Sequence, residues 1–490
     1  MFDQPKASSQ QQDSVDPEKM PLWLALAPIL ILVALLTWNV YVFGDDALSG
    51  STQLTILAVA AVSAAIGLWR GVSWETQQKQ IVTTTGTAIP PIVILLLVGS
   101  MASIWLLSGT VPTLIYYGLQ LLNPSIFLFA CTIVCALTSV VSGSSWSTAA
   151  TIGVAMVGIG RTLGIPEGLI AGAIISGAYF GDKISPLSDT TNLAAGVTET
   201  PVFDHIRYLF LTTGPSMLVS ATLFMLIGLG FSSDDNVDVS EVLTDIDQTF
   251  NVSIWLLLPI AVVLGLILRK TPAIPSMVAG IVIGLICTLI FQVELLRELS
   301  LASDSSSYQI LTTMLYAGMD IPVDNEVLRS LFSASGMAGM LGTVWLILSA
   351  MVFAGVIEAS GMLSRILVAV KSVVNSFFSL VCSTVATCLV SNVSTSDQYI
   401  SVAMPGRMYV DLYKKMGYDT KNLSRTLEDT GTVTSVLIPW NTCGAYHAAV
   451  LGIGTLTYLP YCFFNLLSPL MTLIFAYAKI KIATVKPQSG

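Results

Sequence analysis

Charge is scarce in this chain. Of its 490 residues, 10% are Asp, Glu, Lys or Arg while 54% are apolar, which excludes a soluble domain with an ordinary charged surface. Only two histidines, His205 and His447, are present, too few for a conventional zinc centre without cysteine help. The seven cysteines form no paired C-x-x-C units and lie mostly in apolar segments, Cys131 and Cys135 one helical turn apart. They read as small core residues rather than as a metal or redox device. A Walker A loop is missing, which removes an ATP-driven pump, and no G-x-S-x-G elbow with a histidine partner supports an intramembrane hydrolase. The chain therefore reads as a non-enzyme without a resident cofactor. The net charge of −9 comes largely from two loops, and no basic face for nucleic acid occurs.

Long uncharged runs are what the chain has instead. They match the roughly 20 residues a helix needs to cross hydrocarbon, and the fold class is an all-α polytopic membrane protein. Spans are expected near 22–43, 52–70, 88–107, 126–141 and 206–231, then near 253–269, 272–292, 338–358, 377–390 and 455–478. Residues 1–20 are polar, lack an apolar core and read as a tail rather than a cleaved signal. Trp38, Trp69, Trp74 and Trp255 near span ends read as interface anchors.

Basic residues orient the chain. Asp45 and Asp46 follow the first span without a basic neighbour, whereas Arg70 and Lys79 follow the second. The bias of Lys and Arg toward inside loops then puts the N-terminus in the cytoplasm. The acidic stretch 232–252 reads as an external loop, and Lys479, Lys481 and Lys486 place the C-terminus inside. Half two echoes half one: Leu107-Ser-Gly109 with Ala359-Ser-Gly361, Ser142-Gly-Ser-Ser145 with Ser391-Asn-Val-Ser394, and Asn192 with Asn441, the last two pairs 249 apart (391 − 142 and 441 − 192). Asp182 and Asp429 are 247 apart. The organisation expected is a tail (1–20), a first repeat (21–231), the external loop (232–252), a second repeat of inverted topology (253–480) and a cytoplasmic tail (481–490). Inverted repeats underlie alternating access in secondary transporters. No role follows from the sequence for 293–337.

Residues 142–205 and 391–454 break the apolar pattern, becoming rich in Gly, Ser, Thr, Asn and Pro with short apolar pieces such as 149–160 and 169–180. Pieces of that length read as broken helices or re-entrant hairpins, which are tolerated at depth only when buried in protein or facing a watery cavity. The two zones should therefore meet at the centre. A sodium ion needs hard oxygen ligands in place of water. Zone one offers Ser145, Asp182, Ser185, Asp189, Thr190 and Asn192, and zone two offers Ser391, Asn392, Asp429, Thr432 and Asn441. A single membrane Ser or Thr is more often glue between helices than a ligand. A carboxylate differs, because each costs on the order of 2.5–3.5 kcal/mol at a helix centre and needs a reason. Asp182, Asp189 and Asp429 are therefore the metal-ligand candidates for Na+, and with Glu428 and Lys183 the candidates for proton coupling. Lys183 is either a structural counter-charge or a proton donor. Glu428 is either functional or a helix-end residue near a basic cytoplasmic loop from Arg407 to Arg425, and Asp397 is similarly open. His447 reads as bonded to backbone or as a shuttle.

The run Gly181-Asp-Lys-Ile-Ser-Pro-Leu-Ser-Asp-Thr-Thr-Asn-Leu-Ala194, with Ser142-Gly-Ser-Ser-Trp146, Glu428-Asp-Thr-Gly-Thr432 and Pro439-Trp-Asn-Thr442, resembles the NhaC-type sodium/proton antiporter family over roughly 20–480. That resemblance implies exchange of Na+ for H+ across a bacterial inner membrane on an inverted-repeat, ion-transporter-type fold with re-entrant hairpins. The partners it implies are Na+, H+ and the lipid bilayer, with a homodimer allowed. The motif also resembles a sodium-lactate/malate-proton antiporter, so coupled antiport of an organic acid or amino acid is the alternative. The expected mechanism is competition between Na+ and a proton for shared buried carboxylates. A channel or a non-transporting scaffold is the remaining reading.

Overall fold

The computed structural model describes residues 20–43, 50–231, 239–322 and 332–485. Among the described residues eight helices are long and apolar enough to cross a membrane: Leu22–Phe43, Ser51–Trp69, Ile89–Leu107, Pro124–Ser142, Val202–Gly228, Ala273–Phe291, Ala338–Ala359 and Phe377–Thr395. Two further apolar stretches are bent pairs, Ser240–Thr249 with Ile254–Leu268 at 87° and Thr455–Tyr461 with Phe463–Tyr477 at 54°. Eight of the expected spans are thus single helices, while those expected near 253–269 and 455–478 belong to the two bent pairs. Trp23, Trp38, Trp69, Trp74 and Trp255 are exposed. All seven cysteines are free, and all but Cys382 are buried. The Asp45–Asp46 pair, Asp234, Asp235, Asp238, Lys486 and nearly all of the N-terminal tail lie outside the described residues.

Helix ends follow from local chemistry. Pro124–Ser142 starts at Asn123, whose side chain accepts from the Ile126 N–H, and stops at Gly143 in the left-handed region (φ 66°). Phe377–Thr395 starts in a capping box of Ser376 and Ser379 and stops at Ser396, also left-handed (φ 57°).

These matched ends reveal the internal register. Residues 145–162, helical with one π turn at Ala149–Gly153, correspond to Gln398–Lys415 at both ends (398 − 145 and 415 − 162, each 253). Pro124–Ser142 and Phe377–Thr395 are likewise 253 apart, as are Ser188 and Asn441, which cap Asp189–Val197 and Thr442–Leu451. Upstream, Ser51–Trp69 and Ala273–Phe291 are only 222 apart, and Ile89–Leu107 and Leu341–Ala359 are 252 apart. The connection from Phe291 to Leu341 is therefore 30 residues longer than that from Trp69 to Ile89 (252 − 222), and its described part carries two helices, Val293–Ser303 and Ser307–Tyr316, and a two-stranded hairpin. The 249 offset is corrected to 253. Asp182 has Ser435 as its counterpart and Asp429 has Ser176, so the acids are not mates.

Three other expectations change. The piece 169–180 is the core of an 18-residue helix, Glu167–Ile184, because helix continues through Asp182 and Lys183 where hydropathy falls. The piece 149–160 belongs to the interrupted helix 145–162. The basic loop from Arg407 to Arg425 is largely helical, in Gln398–Lys415 and Lys421–Leu427. Arg425 is wholly buried, over the rings of Tyr208 (4.7 Å) and Phe475 (5.8 Å).

Glu167–Ile184 is laid backbone to backbone on Pro124–Ser142. A Cβ at Gly177 would meet the Thr132 carbonyl, and one at Gly181 would meet the Val140 nitrogen at 2.5 Å. Two glycines four apart give the flat stripe that allows such an approach in membranes, and the Ser139 hydroxyl donates across the contact to the Ala178 carbonyl at 2.5 Å. The helix bearing Asp182 and Lys183 is thereby held against a full span.

Candidate functional site

Consecutive residues on a helix point about 100° apart, and Asp182 and Lys183 use that angle to serve two clusters. Asp182 faces the start of the 145–162 helix, where its Oδ2 accepts from the Ser145 N–H (3.0 Å) and hydroxyl (2.8 Å). Lys183 faces away and forms an ion pair with Asp429, both side chains fully buried. Its ammonium also donates to the Ser468 hydroxyl (2.6 Å) and lies 5.3 Å from the centre of the Phe464 ring.

Asp429 is saturated. Lys183 and the Ser468 hydroxyl (3.0 Å) take one oxygen, and the hydroxyls of Thr212 (2.7 Å) and Thr472 take the other. The counter-charge role of Lys183 is thus present in the structure, with Asp429 rather than Asp182 as partner. Ser468, Thr472 and Thr212 were not legible as site residues, because single hydroxyls in apolar spans are common.

Past Ile184 the chain must leave the helix. Pro186 disfavours helical geometry at the residue before it, and Ser185 is extended (φ −80°, ψ 129°). Its hydroxyl donates to the Val140 carbonyl at 2.8 Å. Ser188 restarts the helix, accepting from the Thr191 N–H and pairing with the Thr190 hydroxyl at 3.1 Å. The Asn192 amide donates to the Pro186 and Ser188 carbonyls (2.9 and 2.7 Å) and so staples the break. Asp189, at the start of that helix, is exposed, and so is Asn192. Asp189 and Asp182 nevertheless lie within electrostatic reach of each other, an open carboxylate beside a buried one.

Zone two is organised around a π turn, Glu428–Thr432. A π turn frees backbone carbonyls, and side-chain amides occupy them. Asn392 donates to the Gly431 carbonyl (2.8 Å) and the Thr434 hydroxyl (3.0 Å), and Asn465 to the Val433 carbonyl (2.9 Å). Asn441 donates to both oxygens of Asn392 (3.2 Å each) and caps the next helix by accepting from the Cys443 N–H (3.0 Å). Asn392 and Asn441 are therefore joined in a latch. The hydroxyls of Ser391 and Thr430 are buried without a hydrogen-bond partner in the structure, and the buried Glu428 carboxyl has the Thr432 hydroxyl as its polar neighbour. Asp397 caps Gln398–Lys415, accepting from the Ile400 N–H at 2.8 Å.

The two zones touch. Trp146 stacks on Tyr446 with centroids 3.9 Å apart, and the Tyr446 hydroxyl donates to the Trp146 carbonyl at 3.2 Å. His447 bonds the Cys443 carbonyl through Nδ1 (2.8 Å), leaving Nε2 unpartnered. Among the described residues the buried charged side chains are Asp182, Asp397, Glu428 and Asp429 against Lys183 and Arg425, four acids to two bases. At the surface Lys414 sits 2.7 Å from Glu199, and its ammonium holds that carboxyl below its usual range.

Broken helices that bring buried, opposite charges together within a bundle of apolar spans define a membrane transport protein. The sequence profile described as "Na+/H+ antiporter family" matches residues 177–480. Similar proteins include the Na+/H+ antiporter NhaC of Alkalihalophilus pseudofirmus, 35% identical over 95% of this chain and 97% of that one. NhaC of Bacillus subtilis is 37% identical over 86% and 91%. The malate-2H+/Na+-lactate antiporter of Bacillus subtilis is 34% identical over 87% and 89%. This chain belongs to the Na+/H+ antiporter family.

Proposed function

We propose that the chain exchanges Na+ for H+ across the bacterial inner membrane by alternating access, both termini being cytoplasmic and the two halves being inverted repeats. The observation that carries the ionic reading is the surplus of two buried carboxylates over buried cations. Each uncompensated charge costs several kcal/mol in a dry interior, so the centre calls for monovalent cations, and protons or sodium supply that charge.

Sodium is assigned to the side of the exposed carboxylate Asp189, with Asp182, Ser145, Thr190 and Asn192 as the candidate oxygens around the helix break. Sodium bound there places a positive charge one residue from the Lys183 ammonium, which favours release of a proton from the Lys183, Asp429 and Glu428 group. The buried oxygens of Ser391, Thr432 and Glu428 form a second set that a cation satisfies after the helices move. Ser185, Asn392 and Asn441 hold the breaks in shape for both sets.

The alternative is coupled exchange of an organic acid or amino acid, to which the 34% identity with a malate/lactate antiporter lends weight. Purified protein in sealed proteoliposomes separates the readings. Sodium alone should dissipate an imposed pH gradient with no organic solute present. An absolute requirement for an added organic acid or amino acid would transfer the assignment to the alternative.

A further inference from the structure

Below the Lys183–Asp429 pair lies a titratable side chain with no part in the exchange described above. His205 is wholly buried in the Val202–Gly228 helix. Its Nδ1 is 2.8 Å from the Ser424 hydroxyl, and its Nε2 has no hydrogen-bond partner in the structure. Ser424 gives its only proton to the Lys421 carbonyl at 3.1 Å. In the tautomer in which Ser424 keeps that bond, Nδ1 donates to Ser424 and Nε2 carries an unpaired basic lone pair. A buried acceptor left unmade costs about 1–3 kcal/mol, which purely structural packing would avoid.

The surroundings give that lone pair a use. His205 lies near enough to Asp429 and Lys183 to feel both charges. Thr212, seven residues on along the same face of the helix and so about 10 Å along its axis, donates to Asp429. In the other direction the first residues of the helix border a cavity of about 490 Å3 lined by Glu199, Asp204, Lys414, Asp419, Thr420 and Lys421. The Thr200 and Thr420 hydroxyls meet 3.1 Å apart beside it. The titratable groups around His205 are Lys421, Arg425, Glu428 and Asp429 from the segment following Thr420, Lys183 from Glu167–Ile184, and Asp204, Arg207 and Tyr208 on its own helix.

We propose that His205 relays protons between this vestibule and the Lys183–Asp429 pair. In each passage Nε2 accepts a proton to give the imidazolium while Nδ1 keeps its bond to Ser424, and Nε2 then gives that same proton to an acceptor on the other side, restoring the starting neutral tautomer. The relay requires a hydrogen-bonded path from the ring to the Thr212 hydroxyl, which itself donates to Asp429. The relay rests on the sodium/proton reading, and the vestibule is the side on which that reading places the cytoplasm.

The test uses the full-length chain in proteoliposomes, with His205→Gln, His205→Ala and the parent compared in two assays. Sodium-driven proton movement reads the coupled cycle. Exchange of labelled sodium for unlabelled sodium at equal pH reads sodium binding and helix movement without net proton transfer. The relay predicts at least about a tenfold loss of sodium-driven proton movement in His205→Gln between pH 7 and 8, with sodium/sodium exchange kept within about twofold. It also predicts recovery of proton movement in His205→Ala by imidazole added on the vestibule side. An unchanged rate and pH profile overturns the relay, and so does equal loss in both assays without imidazole rescue, which marks a structural role. Should neither histidine variant fold, Ser424→Ala, which removes the Nδ1 partner, must shift the pH profile of proton movement, and an unshifted profile overturns the relay. A parent without sodium-driven proton movement would instead defeat the exchange reading itself.

Discussion

Removal of one partner of the Lys183–Asp429 pair gives a prediction with a magnitude. Both side chains are fully buried, and Asp429 accepts from Lys183, Ser468, Thr212 and Thr472. In Asp429→Asn the ammonium faces a neutral amide, whose NH2 also replaces one acceptor oxygen, so at least one donor among the three hydroxyls and the lysine loses its bond. Breaking a buried pair from one side typically costs about 3–5 kcal/mol, which at 1.36 kcal/mol per decade is about two to four decades in the unfolding constant. Lys183→Met should cost a similar amount by leaving the carboxylate uncompensated. In Lys183→Met/Asp429→Leu no charge is stranded, and Thr212 retains an acceptor in the Leu209 carbonyl at 3.1 Å. The double variant should therefore be more stable than either single one while being inactive. The assay is unfolding of purified protein in mixed detergent–SDS micelles, followed by the fluorescence of the nine tryptophans. A double-mutant cycle should return a coupling of at least about 3 kcal/mol, at the upper end for residues in contact. Single effects that add to within about 0.5 kcal/mol would refute the claim that the pair acts as one electrostatic unit.

Other outcomes follow from the same geometry. Asp182→Asn and Asp189→Asn should each abolish sodium-driven proton movement in vesicles while leaving a monodisperse, folded protein, and parental exchange in either would remove that residue from the ion site. Gly181→Ala should impair transport and lower thermal stability, because the added methyl meets the Val140 nitrogen and the Ala136 carbonyl. Gly196→Ala, where a Cβ has nothing within 4 Å, is the control and should leave both unchanged.

Most of the fold was legible because hydrocarbon imposes a length on every apolar run, and the spans were placed to within a few residues. Where charge interrupts the pattern the piece 169–180 reads short: Glu167–Ile184 is longer because Asp182 and Lys183 lower the hydropathy of its last turn without ending the helix. The motif pairs suggest an offset of 249, whereas the helix ends line up at 253, four residues away. Four residues is close to one helical turn, so a slipped alignment still matches like faces with like faces. Capping geometry at Gly143 and Ser396, and at Ser188 and Asn441, removes that ambiguity. Asp182, Lys183 and Asp429 stood out as charges in apolar surroundings. Thr212, Ser468, Thr472 and the basic nitrogen of His205 did not, since each acquires meaning only from a partner across the bundle.

The corrected register has an implication for how such a molecule behaves. At the 253-residue offset the first half carries Asp182 and Lys183 where the second has Ser435 and Val436, while the second carries Glu428 and Asp429 where the first has Ile175 and Ser176. Interchanging the roles of the halves therefore does not restore the same molecule. The inward- and outward-open forms of the proposed cycle must differ in energy even at equal ion concentrations on both sides, and the empty protein has a built-in resting side. Exchanging the acids between the halves, without altering the helices, is the way to move that preference.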